Sequence, residues 1–196
     1  MNDQAIAKNV GIMVDIESLA LAPKAVITQL AFVAFDLDDP DTEIRHDEEF
    51  LPLDPQLILA RVISGDTLIW WMQQDDKARA RFEENKGNDF QELVALVQSW
   101  IRKFEQATVG ADRVEVYAQG PQFDIVTIES LLSDLGLEAP WKYSQIRDLR
   151  TLMGESGLKK GEVPLAPGLV PHHALSDCRH QIDVLQETWR RIRASR

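Results

Sequence analysis

The chain has 196 residues, 44% of them apolar and 27% charged, a balance that supports one domain, residues 1–196, with a core of ordinary size. A formal net charge of −11 excludes a broad basic face for gripping duplex nucleic acid, but not a protein that holds only a strand end and takes its positive charge from bound cations. The single cysteine, Cys178, excludes a disulfide framework or paired-cysteine zinc cluster, and no apolar run approaches the roughly 18 residues of a membrane span, so a soluble, cytoplasmic protein is expected.

Gly11 to Glu17 reads as a short buried strand, and Ala25 to Phe35 as a longer one rich in β-formers. Asp36 to Thr42, with Pro40, marks a turn into a third strand from Glu43 to Leu51, and these short connections predict an antiparallel meander. After Pro52 and Pro55 the period becomes helical. Ser64 caps a helix that reaches Gln74, and an amphipathic helix from Asp89 to Gln106 carries Leu93, Val97, Ile101 and Phe104 on one stripe. Val114 to Tyr117 is a fourth strand, Gly120-Pro121 opens a helix through Leu135, and Tyr143 to Ile146 forms a fifth strand followed by a short helix. Ser156 to Pro171, rich in proline and glycine, is a loop before the last helix, His173 to Arg193. The order predicts an α/β fold, a mixed sheet of meander and parallel strands flanked by helices.

Four acids become interpretable in that outline. Residues two apart in a strand share a face, so Asp15 and Glu17 project together while Val14 and Ile16 face the other way. Asp124 stands in the first turn of the helix that follows the fourth strand, where open sheets place their ligands. His172 and Asp177 flank the entrance to the last helix; five residues span about 140° of helix, so His172 belongs to the loop and Asp177 to the helix. Taken singly, each acid is also what a solvated loop end or a helix N-terminus carries. Taken together, they offer hard oxygen ligands that suit Mg²⁺ or Mn²⁺. Two such ions, about 3.5 to 4 Å apart, support in-line phosphoryl displacement, with an imidazole of pKa near ~6.5 to take the proton of the attacking water.

Asp15-Ile-Glu17-Ser18, Gln119-Gly-Pro-Gln-Phe-Asp124 and His172-His-Ala-Leu-Ser-Asp177 resemble the three motifs of the DEDDh 3′-to-5′ exonucleases in the ribonuclease H-like superfamily. The Trp70-Trp71 helix and Arg147-Asp-Leu-Arg-Thr151 bring the resemblance nearest to the phage exonuclease A type and related bacterial exoribonucleases. The resemblance covers nearly the whole chain, and implies a ribonuclease H-like fold. It also implies two Mg²⁺ or Mn²⁺ ions on Asp15, Glu17, Asp124 and Asp177, with His172 as general base. The implied reaction is hydrolysis of single-stranded RNA or DNA from a 3′ end to nucleoside 5′-monophosphates. Related exoribonucleases extend the expected partners to a second copy of this chain. Ser18 stands where many members have Thr, Cys178 where Ala is frequent, and of the doubled histidines His172 has the spacing of the histidine subclass.

Expected substrate contacts are Ser18 and Leu19, which directly follow the first motif, and Trp70 and Phe123, whose rings can stack on a base. Trp71 reads as core, and Cys178 as a small core residue. Arg147, Arg150, Lys159 and Lys160 are candidates for guiding phosphates, while the C-terminal arginines complement a helix end. Two other readings stand beside the exonuclease: a non-catalytic nucleic-acid-binding module that kept the fold, and a metal-dependent phosphodiesterase or phosphatase for short substrates. A degenerate module should have lost at least one of the five site side chains.

Overall fold

Two largely apolar runs, β1 (Asn9–Ser18) and β2 (Ile27–Asp36), and a mostly charged edge segment, β3 (Glu43–Phe50), form three consecutive strands in a computed structural model that describes residues 8–85 and 87–195. They form the expected meander: β1 pairs antiparallel with β2, and β2 with β3. Two later strands, β4 (Arg113–Ala118) and β5 (Ile146–Asp148), add in parallel on the other side of β1, giving the order β3-β2-β1-β4-β5. β1 is therefore central, buried on both faces.

Helices cover the two faces. The helices are α1 (Leu53–Ile58), α2 (Gly65–Met72), α3 (Asp76–Ala80), α4 (Phe90–Thr108), α5 (Asp124–Asp134), α6 (Leu149–Ser156) and α7 (Ala174–Ala194). Val10, Ile12, Val14 and Ile16 of β1 point into a core with Leu93, Val97, Trp100 and Phe104 of α4 and Ile125 and Ile128 of α5. Phe32 meets Trp100 and Phe104 there at centroid distances of 5.6 Å, in the edge-to-face geometry that aromatic quadrupoles favour. On the opposite face, Met13, Ala31, Val33 and Phe35 pack under Cys178, Ile182 and Leu185 of α7 and Leu149 of α6. Gly11 lets the Phe35 ring press against the backbone in this layer, since a Cβ there would stand 2.4 Å from Cζ of Phe35, its cross-strand partner.

Local chemistry sets the ends of these elements. Ser64 caps α2 by accepting from Thr67 N, and Asp89 caps α4 by accepting from Gln91 N at 2.8 Å. Residues 157–173 hold neither helix nor strand, as the proline and glycine content predicts. The fifth strand begins later than the sequence suggests. Tyr143–Gln145 forms a 3-10 turn, closed by Lys142 N donating to Gln145 Oε1 at 2.7 Å, and only Ile146–Asp148 finds partners on β4. The short α1 and α3, and the 3-10 turn Arg81–Asn85 after α3, were not expected; each is too brief to show a helical period. Among the described residues no helix is long and apolar enough to cross a membrane.

Candidate active site

Because Met13 faces α7, the two-residue strand period puts Asp15 and Glu17 on the same face, at the end of β1. The first turn of α7 is fixed above them. Ala174 N donates to Gln29 Oε1 at 3.0 Å, and Gln29 is the cross-strand partner of Glu17. Cys178 Sγ lies 3.5 Å from Met13 O, seated on the sheet as a small buried residue. Asp177, between these anchors, therefore hangs over Glu17 and shares a hydrogen bond with it. One turn further along α7, Gln181 Nε2 donates to Asp15 Oδ1 at 2.7 Å.

Asp124 arrives from the far side of β1. Gly120, at φ +126°, turns the chain out of β4 and accepts from Phe123 N at 2.8 Å and Asp124 N at 3.3 Å, which starts α5. All four acids of the three motifs thus converge on one end of the central strand.

The cluster is electrostatically costly as it stands. Burial, then the charges of Asp124, Glu17 and Asp177, hold the Asp15 carboxyl well above the usual carboxylate range, and burial followed by Asp177 and Asp124 does the same for Glu17. Burial pushes Asp124 up to about 7 against the pull of its own backbone amide and Arg150, and pushes Asp177 up to about 6. Buried acids that repel one another are relieved by cations. Glu17, His172 and Asp177 present ligand atoms within 4.8 Å of one another, and the set of carboxylates and one imidazole, without thiolate, fits hard divalent ions.

The doubled histidine separates into two environments. His172 adopts φ 57°, a left-handed conformation that costs a non-glycine residue on the order of 1–3 kcal/mol. Its ring meets Trp70 edge-on, with centroids 4.8 Å apart. Burial, then the charge of Lys160, lowers its pKa and favours the neutral imidazole. His173 is buried instead. It caps α7, its Nδ1 accepting from Ser176 N at 3.3 Å, and its Nε2 lies 3.0 Å from Glu48 Oε1.

Two cavities meet at Phe123. One, of about 350 Å³, is apolar and lies between the end of β1 and α2, lined by Ile16, Ser18, Leu21, Trp70 and Phe123 with Glu17 at its edge. The other, of about 270 Å³, is polar and holds Asp15, Asp124 and Asp177 together with Arg150, Lys160, His180 and Gln181.

The expected substrate contacts divide along these cavities. Trp70, 40% exposed, and Phe123 face the apolar one, whereas Trp71 is core and donates through Nε1 to Ser18 O at 3.0 Å. Ser18 lines the cavity with its hydroxyl committed to Ala20 O at 2.9 Å. Leu19 does not reach it. Its side chain is 2% exposed and packs with Val26 and Trp71, its N–H donates to Val26 O and its carbonyl accepts from Ser64 N. The chain bulges between Glu17 and Ser18, which breaks the alternation, and Leu21, 84% exposed, lines the cavity in its place. Of the four basic candidates, Arg150 and Lys160 line the polar cavity; Arg147 turns away to Glu115, 3.1 Å from Nε, and Lys159 is exposed outside it. Gln181 and His180 were missed, although they stand four and three residues after Asp177, the spacing that keeps side chains on neighbouring tracks of one helix face.

The family described as the Rv2179c-like 3′-5′ exoribonuclease domain matches residues 10–189, a span that contains every site residue above. The chain belongs to this family. Solved structures with similar backbones include Escherichia coli exonuclease I in a zinc-bound complex with single-stranded DNA, with a TM-score of 0.59 at 11% identity over 91% of this chain and 40% of that one. The nuclease domain of 3′hExo, a DEDDh family member bound to rAMP, gives a TM-score of 0.53 at 10% identity over 96% and 94% of the two chains. Cell-death related nuclease 4 gives 0.49 at 14% identity over 94% of this chain and 64% of that one. The likeness to exonuclease I and 3′hExo gives this member of the Rv2179c-like family a ribonuclease H-like exonuclease fold; the chain spans less than two thirds of cell-death related nuclease 4 and of exonuclease I. A search of curated proteins finds no match.

Proposed function

We propose that this exonuclease domain hydrolyses single-stranded RNA from its 3′ end to nucleoside 5′-monophosphates. Asp15, Glu17, Asp124 and Asp177 would hold two divalent cations, Mg²⁺ or Mn²⁺, with His172 as general base. The observation that carries this reading is the convergence of Glu17, His172 and Asp177 donor atoms within 4.8 Å, beside Asp15 and Asp124 and next to an aromatic-walled cavity. Bound cations supply charge stabilisation to the phosphate oxygens and make the attacking water a better acid.

His172 takes a proton from that water, a task for which its lowered pKa keeps it free at neutral pH. The water oxygen bonds to phosphorus as the bond from phosphorus to the upstream 3′-oxygen breaks, and that oxygen leaves with the electron pair and is protonated. Trp70 packs against the imidazole and, with Phe123, offers the terminal base a stacking surface worth about 1–3 kcal/mol. A cavity of about 350 Å³ accommodates a nucleobase. RNA is preferred as substrate because the family is described as exoribonuclease, and a single strand because exonuclease I is bound to single-stranded DNA. All five side chains are present, which supports a catalyst over a binding module that retained only the fold.

The test uses 5′-labelled RNA and DNA strands of one sequence with Mn²⁺ or Mg²⁺. A ladder shortening stepwise from the 3′ end, faster on RNA and stopped by chelator, is expected. Activity of Asp124→Asn equal to the parent would overturn the site, and a ladder that favours DNA would overturn the choice of polymer.

A further inference from the structure

Most basic side chains near the sheet are spoken for: Arg61 binds Asp134, Arg147 binds Glu115 and Arg191 binds Glu162 and Glu187. Arg150 and Lys160 differ. Both line the polar cavity, and among the described residues neither side chain makes a hydrogen bond or an ion pair, in a chain whose net charge is −11. They come from separate segments, Arg150 from the first turn of α6 and Lys160 from the loop before α7. Gly120 makes room for the first: a Cβ at that position would lie 3.3 Å from Arg150 Cζ and 3.4 Å from Nη1, so the guanidinium rests on bare backbone beside Asp124. Lys160, on the loop that leads to His172, is near enough for its charge to act on that imidazole.

On the reading given under Proposed function, the terminal base occupies the apolar cavity, the scissile phosphate sits at the carboxylates that line the polar cavity, and the strand runs on through that cavity along Arg150 and Lys160. Four carboxylates and two divalent cations cancel in charge, leaving nothing in the loaded centre to answer a second phosphate. We propose that Arg150 and Lys160 form the subsite for the phosphate immediately upstream of the scissile one, so that the domain favours strands carrying that phosphate over a dinucleotide.

The experiment compares a dinucleotide, a trinucleotide, and the same trinucleotide with an uncharged methylphosphonate at the upstream linkage. Initial rates are taken in Mn²⁺, and equilibrium binding of 5′-fluorescein trinucleotides is read by anisotropy in Ca²⁺. The parent should favour the natural trinucleotide over its methylphosphonate by about tenfold, mainly in KM and in binding, the scale of a charge-assisted hydrogen bond. In Arg150→Ala/Lys160→Ala that ratio should fall towards one, and Arg150→Lys should recover part of it, which loss of fold alone cannot produce. A parent blind to the methylphosphonate, or a double variant that keeps the full preference, overturns the subsite. A binding preference that vanishes in the double variant, with none of the three substrates cut, would uphold the subsite and overturn the nuclease reading.

Discussion

His172 and His173 are adjacent in sequence yet meet different partners at the entrance to α7, the first against Trp70 at 4.8 Å and the second towards Glu48 at 3.0 Å. Their replacement should separate rate from stability. His172→Ala is expected to cut turnover by about 10²–10⁴-fold, the usual contribution of a general base, while Mn²⁺ affinity measured by calorimetry changes little. A large loss of Mn²⁺ affinity would make His172 a ligand instead.

His173→Ala should lower stability by about 1 kcal/mol through loss of the α7 cap, as read by urea unfolding. His173→Asn, which keeps an acceptor at the cap, should recover most of that. If the alanine variant instead loses turnover while its unfolding midpoint holds, the assignment of the two histidines is reversed.

Gln181 holds Asp15 from above through a bond to Oδ1, and among the described residues its own buried Oε1 has no partner. A residue that orients a metal-binding carboxylate typically contributes 10–100-fold to affinity, so Gln181→Leu should weaken Mn²⁺ binding by about that factor. Titration calorimetry on the variant checks this, and an unchanged dissociation constant would remove Gln181 from the site.

The carboxylate cluster predicts an unusual pH dependence for the metal-free protein. In the unfolded chain these acids release their protons near pH ~4, but in the fold Asp177 holds on to about 6 and Asp124 to about 7, and burial and mutual repulsion hold Asp15 and Glu17 well above the usual carboxylate range too. The folded state therefore binds more protons than the unfolded state across that interval, and stability is lost as pH rises through it. His172 and His173, both lowered chiefly by burial and the latter to about 4, act in the opposite direction, two groups against four. The melting temperature of metal-free protein should fall between about pH 5 and about pH 7, and the increment from added Mn²⁺ should grow over the same range. A metal increment independent of pH would contradict this.

The parts of the site that were legible in the sequence rest on short-range geometry. Asp15 and Glu17 share a face because strand side chains alternate, Asp124 falls at a helix start announced by Gly120-Pro121, and the five-residue gap separates His172 from Asp177. What was illegible depends on tertiary packing or on a break in regularity. Leu19 was placed at the substrate by its position after the motif, and the bulge at Ser18 sends it into the core and leaves Leu21 at the rim. Gln181 matters only because Cys178 seats α7 on β1, a contact between residues 165 apart that no local pattern encodes. The same holds for Arg150, whose place in the polar cavity follows from a parallel β5 that pairs through only three residues.

Gly11 lies at the opposite end of β1 from the carboxylates, yet it bears on them. With the Phe35 ring pressed where a side chain would be, β1 and β2 are keyed at one position. A slip of one residue along that ladder would put Ile12 under the ring and rotate Asp15 and Glu17 into the aromatic layer of Phe32 and Trp100. The spacing of charge at the reactive end is thus inherited from a tooth-and-notch fit elsewhere on the strand. Substitutions at position 11 should register as lost chemistry before any residue at the cleft has changed.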